Sequence, residues 1–178
     1  MKRLTALLLA LVISVWTFAQ DNVLKFLGIP VDGDRQEFIN ALKNKGFTYD
    51  PYDDCLEGRF NGLDVIVGVL ENNGKVHRVA VADTYMRDAG QVIIAYNRLM
   101  SQFENNGKYV ADEDNEVLPA TENLAYEMSV HNKQYQAAFY LKGNPQGLVW
   151  FAIEEESGEY YLIIFYDNLD NHSHGEDL

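Results

Sequence analysis

The feature that most constrains the fold is a series of short segments in which apolar residues alternate with other residues between turn-forming sequences. In "ENNGK" (71–75) an Asn-Gly pair stands between two such segments, and "ESGE" (156–159) joins two more. Asn-Gly between alternating apolar residues is the strongest short-range signal for a β-hairpin. The sequence therefore predicts antiparallel meanders. Seven strands are predicted, at about 55–60, 63–70, 75–82, 124–131, 134–142, 147–155 and 159–166.

Two further segments have the spacing of an amphipathic helix, at 34–45 and 88–104. Asp34 is placed to cap the first helix, and Gly46 is placed to end it in a left-handed conformation. The apolar stripes are Phe38, Ile39 and Leu42 in the first helix, and Val92, Ile93, Tyr96, Leu99, Met100 and Phe103 in the second.

The two helices end in similar sequences, and an offset of 61 residues aligns Gly46 with Gly107. We therefore predict one α+β domain over 20–166, built of two tandem units at about 24–84 and 85–166. Each unit is a helix followed by an antiparallel meander, and both helices pack on one face of the sheet to give two layers. The similarity of the two helix ends is also compatible with two unrelated units that share a simple architecture.

The strands of the second half are apolar on both faces. In 147–155 the two alternating sets are Val149, Phe151 and Ile153, and Leu148, Trp150 and Ala152. An antiparallel sheet with one solvated face should have polar residues on that face, so the second face is predicted to be covered. The candidates are the linker around Leu118 and Pro119, a dimer partner and a ligand.

Four aromatic residues of the second half form the predicted binding surface: Tyr140, Trp150, Tyr160 and Tyr166. Aromatic side chains dominate binding hot spots because they bury a large area at a low cost in conformational entropy. The alternative is that these side chains pack in the core.

The first residues have the pattern of a secretory signal peptide. Lys2 and Arg3 precede an apolar run at 4–18, which is shorter than the roughly 20 residues that a membrane-spanning helix needs. We predict a signal peptide over 1–19 with cleavage after Ala19. The remaining chain is predicted to be periplasmic or secreted, with no membrane insertion after cleavage.

The chain is strongly acidic, with a formal charge of −13 that becomes −15 once the two basic residues of 1–19 are removed. Phosphates demand a basic patch, so nucleic acid is excluded as a predicted partner. A basic partner or a divalent cation suits this field better. The single cysteine, Cys55, excludes an intrachain disulfide framework.

No catalytic signature stands out. Cys55 with His77 or His131 is the one thiol–imidazole combination that nucleophilic catalysis could use. Acidic clusters at 50–54 and 154–156 leave open a hydrolase that uses paired carboxylates. We predict no cofactor, and the enzyme hypothesis is the less favoured one.

The C-terminal segment 167–178 is acidic and is predicted to be a disordered tail. Its His172 and His174 form a His-x-His element that can hold zinc, nickel or copper. Weak metal binding by these two histidines is the alternative to a tail without a metal site.

The stretch "FLGIPVDGDRQEFINALKNKGF" (26–47), followed by "LEGRFNGLDVIVGV" and "GKVHRVAVAD", resembles small exported proteins of Bacteroidetes-type bacteria. The resemblance covers about residues 24–84 and implies no catalytic residues. The paired helix-then-meander layout looks like the folds of β-lactamase-inhibitor proteins and of the outer-membrane assembly lipoprotein BamE. That likeness implies a protein that acts by binding other proteins.

Together these features favour an exported, non-enzymatic binding or assembly module. Its predicted partner is a protein or peptide, with a homodimer as one form of that interaction. The sheet face of the second half is the predicted contact surface. The alternative is a hydrolase that acts on an envelope or dietary polymer through carboxylates.

Overall fold

A computed structural model describes residues 22–172, which form a mixed α+β fold with one large antiparallel sheet. The three α-helices are α1 (Arg35–Asn44), α2 (Ala89–Glu104) and α3 (Leu124–His131). The strands are β1 (Lys25–Phe26), β2 (Ile29–Pro30), β3 (Thr48–Asp50), β4 (Cys55–Phe60), β5 (Leu63–Asn72), β6 (Lys75–Asp83), β7 (Tyr109–Ala111), β8 (Gln136–Leu141), β9 (Asn144–Glu156) and β10 (Glu159–Asn168). A short 3-10 helix, Leu169–Asn171, follows β10.

Eight strands form the main sheet in the order β3-β4-β5-β6-β10-β9-β8-β7, and every neighbouring pair is antiparallel. The strands that follow α1 occupy one side and those that follow α2 occupy the other. The two sets meet where β6 pairs with β10. Strands β1 and β2 form a separate small hairpin.

The starts of α1 and α2 confirm the predicted helices to within a residue. The side chain of Asp34 accepts a hydrogen bond from the Glu37 backbone N–H at 2.9 Å. Asp88 and Gln91 form a complete capping box at the start of α2. Gly46 follows α1 with a φ of 95°, a conformation that costs glycine least. Local capping signals therefore place both helices correctly.

One face of the sheet, here called the covered face, carries a continuous buried row. Leu56, Val67, Val81, Ile164, Phe151 and Ala137 pair across β4, β5, β6, β10, β9 and β8, and each is at most 8% exposed. Rings of α2 contact this row: the Tyr96 and Phe151 centroids lie 5.2 Å apart. Burial of this row supplies the main apolar core.

The strand predicted at 124–131 is wrong, because this segment is α3. Asn123 caps the helix by accepting a hydrogen bond from Tyr126 N–H, and Asn132 ends it in the left-handed conformation. Leu124 is buried and Met128, four residues later, packs against the core. The caps at Asn123 and Asn132 therefore define this helix, whose apolar spacing alone does not distinguish it from a strand.

Three further differences concern short or terminal segments. Strands β3 and β7 follow α1 and α2 and were not among the predicted strands. The segment predicted as a tail begins within β10, which extends to Asn168, and continues into the 3-10 helix Leu169–Asn171. The predicted signal peptide and His174 lie outside the described residues. Within 22–172 there is no helix whose length and apolar character would let it span a lipid bilayer.

Candidate functional site

The opposite side of the sheet, here called the open face, is centred on Trp150. Gly68, Ala80, Phe165, Trp150 and Ala138 pair in one row across β5, β6, β10, β9 and β8. All five are partly exposed. The same face continues through Ile66, Leu70, Arg78, Ala82, Tyr140, Leu148, Ala152, Ile163 and Asp167.

A stacked pair of aromatic rings forms the middle of the open face. The Trp150 and Phe165 centroids are 4.1 Å apart and their planes are inclined by 19°. The Arg78 guanidinium lies 5.6 Å from the Trp150 centroid and 5.0 Å from the Phe165 centroid. A cation at this distance is attracted by the face of an aromatic ring. The two rings therefore pack face to face and form one apolar unit, here called the platform, with a cation beside it.

Asp167 fixes the orientation of this platform. It accepts hydrogen bonds from Arg78 Nε at 2.6 Å, from Arg78 Nη2 at 2.7 Å and from Trp150 Nε1 at 2.9 Å. The Asp167 side chain is 2% exposed, whereas Trp150 remains partly exposed. These hydrogen bonds raise the pKa of Arg78 further above its ordinary value. A buried carboxylate thus holds both a ring and a cation in place.

The structure separates the four residues of the predicted binding surface. Trp150 lies on the open face with Tyr140, which pairs with Leu148. Burial, followed by a hydrogen bond with Asp112, raises the pKa of Tyr140. Tyr160 and Tyr166 instead lie in the core, at 4% and 6% exposure. Of the four residues, only Trp150 and Tyr140 therefore lie on the open face.

The turn between β9 and β10 explains this separation. Ser157 and Gly158 both have positive φ, which is the geometry of a two-residue hairpin, and Glu156 pairs with Glu159. Trp150 and Phe165 are each six residues from that pair, so they face each other. Tyr160 and Tyr166 are at odd distances and point to the other side. Counting from the "ESGE" turn would have found Phe165.

The linker around Leu118 and Pro119 was one of the segments predicted to cover the second apolar face, but it lies on the other side of the sheet. Leu118 is buried, and its backbone exchanges two hydrogen bonds with the Asn97 side chain of α2, at 2.8 and 2.9 Å. Because α2 packs on the covered face, the linker is held on that side of the sheet. Among residues 22–172, Trp150, Phe165 and their neighbours in the central row stay partly exposed, whereas Ala152 and Asp167 on the same face are buried.

Arg78 and Asp167 are site residues that the sequence analysis missed. Asp167 was assigned to a tail, and Arg78 is one of three charged residues of β6, with Lys75 and Asp83, so its residue type does not set it apart. Their pairing joins the first half of the chain to the second through the β6–β10 contact. Only the order of the strands shows it, because the two residues are 89 positions apart.

The geometry gives the catalytic alternatives little support. Burial, followed by the charges of Asp53 and Asp50, raises the pKa of the Cys55 thiol, which disfavours a thiolate nucleophile. The acidic clusters at 50–54 and 154–156 lie on opposite sides of β5, β6 and β10. At the usual strand spacing this separation is about 19 Å, against roughly 5–10 Å for paired catalytic carboxylates.

The carboxyls with displaced pKa values are displaced in the wrong direction for a general acid. Hydrogen bonds from Tyr49 and Arg35 lower the pKa of Asp54. Hydrogen bonds from Tyr135 and Lys133 lower the pKa of Glu122. A general acid at neutral pH needs a raised pKa instead.

Of the two histidines of the predicted metal-binding element, His172 lies within the described residues and His174 does not. The His172 ring lies against that of His77, with a centroid separation of 4.7 Å and an edge-to-face arrangement. Across residues 22–172, no group of three or more histidine, cysteine or acidic side chains is arranged to hold a metal ion.

Comparison of the chain with protein-family models, with curated proteins and with solved structures found no match in any of the three. The residues of this chain therefore carry the functional proposal.

Proposed function

We propose that this protein is an exported, non-enzymatic binding module that recognises a protein or peptide segment through its open face. The single observation that carries the proposal is the stacked pair of Trp150 and Phe165, held by Asp167 on an accessible surface. Aromatic and arginine side chains that are fixed before binding are the usual anchors of protein interfaces. This function agrees with the binding role that the architectural likeness implies.

The proposed architecture that supports this surface is a pair of tandem units. The first unit is α1 with β3–β6, and the second is α2 with β7–β10. In this arrangement both helices cover one face of the shared sheet and leave the other face for a partner. In this arrangement the last strands of the two units, β6 and β10, pair with each other in antiparallel orientation.

The charges on the open face indicate the chemistry of the partner. The two arginines of this side are already paired, Arg78 with Asp167 and Arg59 with Asp64. Glu57 pairs with Ile66 and Glu154 with Tyr161 across the strands, and both carboxylates are exposed. An apolar centre with an acidic margin complements a segment that combines large apolar side chains with lysine or arginine.

A peptide-display selection on the mature chain tests the proposal. Selected peptides should combine aromatic or aliphatic residues with basic ones. The Trp150→Ala variant should weaken their binding by about 30-fold or more, the effect of losing one hot-spot residue. The control is Tyr126→Ala, an exposed aromatic position on α3, which should leave binding unchanged.

Two outcomes would overturn this function. One is a folded Trp150→Ala variant that binds the selected peptides as well as the wild type does. The other is a selection that yields no peptide at all while the wild type also stays monomeric in sedimentation. A homodimer that Trp150→Ala dissociates would instead identify a second copy of the chain as the partner.

A further inference from the structure

A pocket of about 350 Å³ lies on the open face beside Trp150. Trp150, Ala152 and Glu154 of β9 line it, and alternate residues of a strand share one face of the sheet. Gln136 of β8, which pairs with Ala152, lines the pocket from the neighbouring strand. The pocket therefore extends from the platform along β9 towards the turn that joins β9 to β10.

The second face of the Trp150 ring is available to this pocket. Phe165 stacks on the first face. The Arg78 guanidinium lies 5.6 Å from the Trp150 centroid and 5.0 Å from the Phe165 centroid, so it is beside the stack and not on the second face. In β8 the residue that pairs with Trp150 is Ala138, whose small side chain leaves room next to the ring.

The charge at the far end of the pocket is negative. Glu154 is exposed and forms no ion pair with any residue in 22–172. Burial, followed by the charges of Glu154 and Glu156, raises the pKa of Tyr161, which pairs with Glu154 across the strands. Two carboxylates therefore set a negative potential at this end of the open face.

Lys133 is the one basic side chain among the described residues that line the pocket, and its charge is already compensated. Its ammonium lies 3.0 Å from the Glu122 carboxylate and 4.8 Å from the centroid of the Tyr135 ring. The charge of Glu154 is left without a partner. The pocket therefore has a net negative charge and complements a cation.

Several oxygen atoms surround this end of the pocket. The Glu154 carboxylate and the side-chain amides of Gln134 and Gln136 line it, and all three residues are exposed. A guanidinium presents five N–H donors in one plane and can donate to several oxygen atoms at once. An ammonium is a compact charge without that fixed arrangement of donors.

We infer that this pocket binds an arginine side chain of the partner segment, an inference that rests on the proposed function. The aliphatic part of the arginine packs on the Trp150 ring and on Ala152, since arginine buries its methylene groups on apolar surfaces and keeps its charged end in a polar environment. The guanidinium lies towards Glu154, four residues or about 13 Å further along the strand. It donates hydrogen bonds to the carboxylate and to the glutamine amide oxygens.

Replacement of arginine by citrulline in the tightest-binding peptide from the display selection tests the inference. Citrulline has the shape of arginine but no charge, and it should weaken binding by about ten-fold in fluorescence anisotropy. Lysine keeps the charge without the planar donors and should weaken binding by about three-fold. The inference is wrong if the citrulline peptide binds as tightly as the arginine peptide, or if the selected peptides contain no arginine.

A pair of charge variants identifies the carboxylate that recognises the arginine. Glu154→Gln should weaken the arginine peptide by about five-fold and the citrulline peptide by less than about two-fold. Glu104→Gln removes the same charge from the exposed last residue of α2 and should leave both affinities unchanged. If the two variants bind the arginine peptide equally well, Glu154 does not recognise the guanidinium.

Methyl NMR of the two complexes locates the arginine side chain. The methyl groups of Ala152 and Met128, which line the pocket, should differ in chemical shift between the arginine and citrulline complexes. The methyl groups of Ile66, which pairs with Glu57 at the opposite acidic margin, should not differ. Differences confined to Ile66 would place the arginine at Glu57 and contradict the inference. Because each experiment uses a peptide that already binds, a negative result contradicts the arginine pocket and leaves the open face as a binding surface.

Discussion

Phe151 and Trp150 are consecutive large aromatic residues on β9, yet their side chains lie on opposite faces of the sheet and in different environments. Phe151 is fully buried and packs against Tyr96 and Phe139 on the covered face. Trp150 stays partly exposed on the open face and packs on Phe165. Identical alternation on the two faces therefore conceals two different environments. One face is a core, and the other is an organised surface.

The polar groups show what distinguishes an organised surface from an incomplete core. On the covered face the central row contains apolar side chains alone. On the open face a carboxylate, a guanidinium and an indole N–H satisfy one another around the two stacked rings. Such a hydrogen-bond network fixes the orientation of the side chains that it joins.

The largest expected effect comes from truncating each aromatic residue of the consecutive pair. Phe151→Ala should lower the free energy of unfolding by about 3–5 kcal/mol, because it opens a cavity among closely packed rings. Trp150→Ala should lower it by less, about 1.5–2.5 kcal/mol, since the ring is partly solvated and loses its stacking and one hydrogen bond to the Asp167 carboxylate. Urea unfolding of both variants measures the difference. Equal losses would mean that the open face is also a core.

The next effect concerns the carboxylate beneath the platform. Asp167→Ala should lower the free energy of unfolding by about 1.5–3 kcal/mol, because it removes hydrogen bonds to a charged group and to an indole. It should also weaken the near-ultraviolet circular dichroism of Trp150, which loses its fixed orientation. Asp170→Ala, at an exposed position three residues away, is the matched control. If the two variants have the same stability and spectrum, Asp167 does not organise the surface.

Two strand glycines sharpen the comparison further. A Cβ at Gly58 would lie 2.3 Å from the Phe47 ring, whereas a Cβ at Gly68 on the open face would meet nothing closer than 3.9 Å. Gly58→Ala should therefore cost about 1–2 kcal/mol by forcing a buried ring to move. Gly68→Ala should change stability by less than about 0.5 kcal/mol. Thermal unfolding of the two variants tests this, and a costly Gly68→Ala would show that the open face is packed.

Much of the architecture was predictable because its signals are local. The caps of α1 and α2 and the Asn-Gly and Ser-Gly turns fix two helices and six of the seven predicted strands, since each depends on a few neighbouring residues. At 124–131 the prediction of a strand was wrong. Leu124 is the only buried residue of this helix, and one buried residue does not define the apolar spacing that distinguishes a helix from a strand. Strands β3 and β7 are three residues long and carry no periodicity.

The site was less predictable because it depends on pairing between distant strands. The sequence identified Trp150 as a candidate, but Arg78 reaches it only through the β6–β10 contact. Tyr160 and Tyr166 have the composition of a binding surface and are nevertheless core residues. Residue type indicates what a position can do. The register decides which positions act together.

The smallest expected effect concerns the point where the alternation of β6 is interrupted. Leu70 pairs with Arg78 and Glu71 with Val76, so His77 is an extra residue without a partner in β5. Its Nδ1 is buried and finds no hydrogen-bond partner within 22–172. Burial, followed by the charges of His172 and Arg78, lowers the pKa of His77, and Asp167 opposes this only in part.

A histidine with a lowered pKa in the folded state takes up its proton more readily when the chain unfolds. The stability that neutral His77 provides is therefore fully present above the usual histidine pKa of about 6.5 and is lost as the pH falls below it. The free energy of unfolding should drop between pH 7.5 and 5.5 by more in the wild type than in His77→Gln. His131→Gln, at an exposed position on α3, should keep the wild-type slope. If His77→Gln and the wild type have the same dependence of the free energy of unfolding on pH, His77 is hydrated in the folded protein. Water would then reach the sheet at this bulge.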